Sequence, residues 1–207
     1  MSTTNWTLGA SANSGNVIVD TVVVSDVTDP DMGTALQLSA QVDFSSTNNK
    51  WFATSVFNDS YTYDPSVSGE LTSFSFSGDF TANYGTALRV FLEQGGETFW
   101  LTVTPPEGVA VVANSGVTSV SYAVLDADNF TAFIGSSGSL DFSETGSEIT
   151  FGYGLRYGSG AAFNNRVLEF NADNVKFGLS TIPEPAQAGV VLGAIGLLIV
   201  ALRRRRS

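Results

Sequence analysis

Along residues 35–44 apolar and polar side chains alternate without a break. Leu36, Leu38, Ala40, Val42 and Phe44 fall on one face, and Gln37, Ser39, Gln41 and Asp43 on the other. A period of two puts successive side chains on opposite sides of a pleated backbone, so this is a strand with one buried face. Similar segments lie at 17–24, 50–57, 71–76, 87–93, 98–104, 117–125, 148–157, 167–170 and 175–179, with Gly, Asn, Asp or Pro between them. Before Ile182 no segment repeats at helical spacing. About ten strands without crossover helices predict an all-β fold, an antiparallel two-sheet sandwich of jelly-roll type. An immunoglobulin-like sandwich is the alternative, although it needs only about 100 residues.

One hairpin is readable in register. Gly95-Gly96 suits a two-residue turn with positive φ at both positions, which sets Leu92 opposite Phe99, Phe91 opposite Trp100 and Val90 opposite Leu101. Phe91 and Trp100 then share the face opposite Leu92 and Phe99. Exposed, they form a platform for the apolar face of a sugar ring; covered, they are core. Tyr61 and Tyr63, two apart on an extended segment, are a second candidate pair for glycan stacking.

The pattern changes at the C-terminus. After Pro183, Glu184 and Pro185, residues 188–202 hold nine Val, Leu or Ile with Ala and Gly and no polar side chain, followed by Arg203, Arg204, Arg205 and Arg206. The two prolines leave an extended linker that a processing enzyme can reach. Nine branched apolar residues favour membrane insertion by roughly 3 to 5 kcal/mol in sum. As a helix the run spans about 22 Å, short of a hydrocarbon core of about 30 Å, so its ends must snorkel or the bilayer must thin. Four arginines, each costing on the order of 3 kcal/mol at the bilayer centre, act as a stop on the cytoplasmic side and place the rest of the chain outside. The domains expected are therefore 1–182, an extracytoplasmic sandwich, and 183–207, a tail with one transmembrane helix.

Charge sharpens that division. The formal net charge is −11, yet the tail is positive and 1–182 carries only five basic residues against 19 acidic ones. An acidic body repels phosphate backbones, which argues against nucleic acid as a partner. With no Cys there are no disulfides, and with no His the chain lacks the usual general base and the commonest metal ligand. Most hydrolase and zinc chemistry is thereby excluded, and no local motif singles out a glycosidase carboxylate pair. No enzyme activity is expected. Oxygen-rich loops at Asp26, Asp29 and Asp31, and at Asp126, Asp128 and Asn129, are candidate holders of one structural Ca²⁺, though neither has the spacing of a calcium motif.

Pro183-Glu184-Pro185, a short apolar helix and a terminal arginine cluster together resemble the PEP-CTERM sorting signal of Gram-negative bacteria. The resemblance covers about an eighth of the chain. It implies a membrane protease of the exosortase group that recognises Pro183, Glu184 and Pro185, removes the helix, and passes the body from the inner membrane to the cell surface or extracellular polysaccharide. About what the body binds the resemblance is silent; the function expected is that of a structural cell-surface or matrix-associated protein, with a carbohydrate-binding module as the alternative. The segments 141–153 and 167–175, the latter with its Asp173-Asn174 pair, resemble the ends of jelly-roll modules in PEP-CTERM and carbohydrate-binding proteins. Met1 to Trp6 show neither the basic nor the apolar part of a signal peptide, so an in-frame apolar leader is expected upstream.

Overall fold

A computed structural model describes residues 5–13, 17–44, 50–102, 109–159 and 163–182. Twelve strands follow in chain order: β1 (Trp6–Asn13), β2 (Val17–Asp29), β3 (Gly33–Phe44), β4 (Lys50–Tyr63), β5 (Leu71–Ala82), β6 (Thr86–Gln94), β7 (Glu97–Leu101), β8 (Val109–Val111), β9 (Thr118–Leu125), β10 (Phe130–Ala132), β11 (Ile149–Ser159) and β12 (Phe163–Thr181). They form two antiparallel sheets. One is seven-stranded in the order β1-β4-β11-β6-β7-β10, with β8 pairing β6 beyond the end of β7; the other is five-stranded in the order β2-β3-β12-β5-β9. The fold is an all-β, antiparallel two-sheet sandwich.

Among the described residues no helix is long and apolar enough to cross a membrane. The expected transmembrane helix at 188–202, the Pro183-Glu184-Pro185 motif and the arginine cluster lie outside the described residues.

The alternation that predicts the strands also fills the core. Leu36, Leu38, Ala40, Val42 and Phe44 of β3 all point inward. Opposite them Phe151, Tyr153, Leu155 and Tyr157 of β11 do the same. Phe74 is the centre of the aromatic packing, with ring centroids 5.8 Å from Phe130, 6.4 Å from Phe142, 5.1 Å from Phe151 and 6.3 Å from Phe177. Phe80 stacks on Phe170 at 5.4 Å and meets Tyr153 edge-on at 5.8 Å. Burial drives the Tyr153 phenol far above its ordinary pKa, so it stays neutral.

The hairpin register is the one the sequence sets at Phe91 with Trp100 and Leu92 with Phe99, and Gly95 and Gly96 have φ of 62° and 82°. Two differences stand out. The segments at 167–170 and 175–179 are one strand, β12, because Asn174 (φ 53°) absorbs a bulge between Asp173 and Lys176 without ending the ladder. β1, β8 and β10 have no counterpart in the periodic pattern. They pair on one side only, and β8 and β10 are three residues each, too short to show a period.

The stretch between β10 and β11 is held by Gln94, whose side-chain amide donates through Nε2 to the carbonyls of Asp141 and Ser147 while Oε1 accepts from the Asp141 amide. Gly146 lies so close to the Asp141 carbonyl that a Cβ would stand 2.1 Å from its oxygen, which requires glycine there.

Three carboxylates tie the polar surfaces together. Asp29 is buried, which by itself raises its pKa, but hydrogen bonds from the Thr81 hydroxyl, the Asp31 and Met32 amides and Asn171 outweigh that and hold it below the ordinary carboxylate range. Asp79 is lowered by Ser119 and Asn174, and Asp141 by the Ser143 hydroxyl and amide. A depressed carboxyl stabilises the fold above the unfolded-state pKa and ceases to do so as pH falls through its folded value. The thermal midpoint is therefore expected to be flat between about pH 5 and 7 and to fall steeply below about pH 4. Asp29→Asn should lower the midpoint at pH 7 and shrink the acid drop, both read by circular dichroism melts.

Candidate functional site

The two outward faces of the sandwich differ in chemistry. On the five-stranded sheet the outward positions of β3, β5 and β12 include Gln37, Gln41, Ser75, Asp79, Thr81, Glu169 and Asn171, a surface of hydroxyls, amides and carboxylates. On the seven-stranded sheet the corresponding face carries a second apolar cluster: Ala53, Phe57, Phe91 and Phe133, with Ala10, Ala12, Trp51 and Trp100 partly buried against it. Ala53, Phe57, Phe91 and Phe133 are themselves covered, so what this cluster offers to solvent is the surface of its partly buried members, Trp51 and Trp100 the largest of them.

The central strand makes this arrangement. Along β11 the core face takes Phe151, Tyr153, Leu155 and Tyr157, and the outward face takes Gly152, Gly154, Arg156 and Gly158. Three outward glycines leave a floor of bare backbone. A Cβ at Gly154 would stand 2.0 Å from the Thr54 carbonyl oxygen, and one at Gly152 would stand 2.3 Å from the Val56 oxygen and 2.5 Å from the Phe57 ring. On the neighbouring edge Gly9 leaves the same room for Phe57, whose ring would otherwise be 2.3 Å from a Cβ. The glycines at 9 and 152 therefore leave the room that the Phe57 ring occupies.

Trp51 on β4 and Trp100 on β7 belong to the same outward cluster. With β11 and β6 between their strands, the two indoles still approach to 6.3 Å between ring centroids, inclined at 35°. Trp100 is supported by Phe133 edge-on at 5.1 Å and by Phe91 at 6.2 Å. Each indole also carries a guanidinium: Arg89 lies 5.0 Å from the Trp100 ring centre and Arg156 5.5 Å from that of Trp51. Arg89 is buried and donates from Nη1 to the Leu101 carbonyl, so it is a support for Trp100, while Arg156 is half-buried. Beyond Arg156 the face opens into a cleft of about 390 Å³ between β11 and β8, lined by small or apolar residues such as Gly85, Ala87, Ala110, Val112 and Gly158. Arg156 is the one charged residue among the described residues lining it.

The four rings singled out from the sequence separate here. Phe91 is fully buried beneath Trp100 and Phe133, and a ring without an exposed face has nothing to offer a sugar. Tyr63 is likewise turned inward, its hydroxyl donating to the carbonyls of Ser68 and Gly69. Tyr61 is exposed, but it packs edge-on against Trp6 and Phe177 at one end of the sandwich, away from the Trp100 cluster. Trp100 alone joins the outward aromatic patch as a partly exposed ring. Sequence reasoning missed Trp51, Arg156 and the glycine floor. Their signal was present in Gly152-Tyr153-Gly154-Leu155-Arg156-Tyr157-Gly158, where one period-two face is all large and the other almost all glycine.

The acidic loops take other roles. Both oxygens of Asp29 accept hydrogen bonds from within the fold, and Asp26 and Asp31 are exposed. Asn129 turns back to accept from the Asp126 amide, and Asp128 faces solvent. Among the described residues no three of His, Cys, Asp or Glu converge as a metal site.

No protein-family model matches the chain, and no curated protein is significantly similar to it. Solved structures of similar layout include a family 61 carbohydrate-binding module in complex with β-1,4-galactotriose, with 8% identity and a TM-score of 0.40 over 86% of this chain and 91% of that one. A family 4 carbohydrate-binding module gives 12% and 0.39 over 79% and 94%. An exo-β-agarase gives 11% and 0.40 over 88% of this chain and 24% of its own. Likeness at this level says nothing about the ligand of this chain.

Proposed function

We propose that the body is a non-catalytic carbohydrate-binding sandwich of jelly-roll type, and that it holds a polysaccharide on the outward face of the seven-stranded sheet. The observation that carries this reading is the pair of partly exposed indoles, Trp51 and Trp100, whose ring centres lie 6.3 Å apart on the outward side of the sheet. A sugar presents C–H bonds on its ring faces and hydroxyls at its edges. Indole faces cover the former, and half-buried polar groups around the patch, Arg156 among them, can donate to the latter. The Trp100 ring, fixed from behind by Phe91, Phe133 and Arg89, loses little freedom on binding, which favours affinity. Affinity electrophoresis of the full chain through gels containing soluble plant, algal and bacterial polysaccharides tests this. Retardation by at least one polymer is expected; free migration through all of them at millimolar sugar would sink it.

The tail supports a second, compatible reading of where the body works. Pro183, Glu184 and Pro185, the apolar run and Arg203 to Arg206 resemble an exosortase substrate, which would carry the body from the inner membrane to the cell surface or its polysaccharide matrix. On this reading intact-mass measurement of the protein from its native host returns a species lacking the residues beyond the Pro-Glu-Pro motif. A full-length mass in the surface fraction would refute the processing.

A further inference from the structure

We propose that the cleft beside Arg156 takes an anionic sugar residue, one bearing a carboxylate or sulfate group, of the polysaccharide bound on this face. This rests on the carbohydrate reading above and adds the charge of the ligand to it. Residues 1–182 hold only five cationic side chains, and two of them, Arg89 and Arg156, lie against the two indoles of the outward cluster on the seven-stranded sheet. Arg89 is buried and its Nη1 is committed to the Leu101 carbonyl. Arg156 is partly exposed, lies against the ring of Trp51 and lines the cleft. It therefore joins the stacking surface to a space of about 390 Å³, within the usual ~300–1,000 Å³ range of small-ligand sites.

The rest of the lining makes the charge decisive. Gly85, Ala87, Ala110, Val112 and Gly158 leave room and supply no competing anion. The carboxylate of Glu93 lies at the other end of the face, on the β6 position paired with Thr150 and Thr98. A guanidinium presents paired N–H donors that match a carboxylate or sulfate edge, and such charge-assisted bonds are roughly twice as strong as those to neutral hydroxyls. The cation–π contact with Trp51, 5.5 Å from guanidinium carbon to ring centre, supports the group without using its N–H donors in a conventional hydrogen bond. The strongly acidic balance of the whole body does not cancel this, because at physiological ionic strength charges beyond about 8 Å are largely screened.

Affinity electrophoresis with matched polymer pairs tests the assignment: polygalacturonate against its methyl ester, and dextran sulfate against dextran, each with chelator present. The native full chain should be retarded at least tenfold more strongly by the charged member of one pair. Arg156→Gln should erase that preference, and Arg156→Lys should keep part of it, with unchanged thermal midpoints confirming that both variants fold. Equal retardation within both pairs, or a preference that survives Arg156→Gln, overturns the anionic assignment. If neutral polymers are still retarded in that case, the carbohydrate reading stands. Free migration through all four overturns the assignment, and free migration through the wider polymer set as well overturns the carbohydrate reading with it.

Discussion

Trp100→Ala is expected to weaken binding of the recognised polysaccharide at least tenfold, with Trp51→Ala close behind. A tenfold loss corresponds to about 1.4 kcal/mol, modest for a tryptophan at the centre of a contact surface, where truncation costs of about 2 kcal/mol or more are common. The difficulty is that Trp100 also shields Phe91 and Phe133, so its removal costs stability as well as contact area. The two effects separate because the outward cluster is distinct from the main core, and the sheet beneath it is held by Val90, Leu92, Phe99 and Leu101 on the other side. Trp100→Phe provides the control. It keeps an apolar cover over Phe91, loses part of the indole face, and should give intermediate affinity with a melting midpoint near that of the native chain. Affinity is read by titration calorimetry and stability by circular dichroism melts on the same samples. Full affinity in both alanine variants would remove the aromatic face as the binding surface.

Strands whose two faces differ in polarity were legible in the sequence, and so were turns that demand glycine. β3 shows its buried face residue by residue, and the Gly95-Gly96 turn fixes the β6 and β7 pairing because few other residues accept φ near +60° to +80° at successive positions. What escaped was set by neighbours distant in the chain. β1 consists mostly of Thr, Ser, Gly and Ala after Trp6, and it is a strand because β4 offers it an edge. β12 continues through Asp173-Asn174 because β5 accommodates the bulge. The site suffered most from this. A local pairing brings Phe91 beside Trp100, but whether either ring meets water depends on Phe133, 33 residues beyond Trp100 in the chain. Trp51 and Trp100 meet only once the sheet order places β11 and β6 between them. Local alternation states which face a side chain takes, while the occupant of the space above it is a property of the assembled sheet.

Phe74→Ala should produce the largest loss of stability of any single ring truncation in the core. Its side chain is buried to 1% exposure and its ring touches four other aromatic rings drawn from β10, β11, β12 and the segment before β11. Removing a buried phenyl group costs the transfer free energy of the lost carbons and leaves a cavity that surrounding strands close only partly, together about 3–5 kcal/mol. Rings contributed by both sheets line this cavity. Phe151 and Phe130 stand on the seven-stranded sheet and Phe177 on the five-stranded one, and two hydrogen-bonded ladders resist moving toward each other. The cost should therefore sit at the upper end of that range. For a domain of this size each kcal/mol lowers the midpoint by roughly 2–4 °C, so a fall of about 10–15 °C is expected. Val124→Ala on β9, 67% exposed, should leave it unchanged to within about 1–2 °C. A Phe74→Ala midpoint no lower than that of Val124→Ala would mean that the two sheets do not pack through this ring. Because Phe74 lies in the core and the indoles lie on the outer side of the opposite sheet, the same variant assayed well below its midpoint should still bind glycan with native affinity.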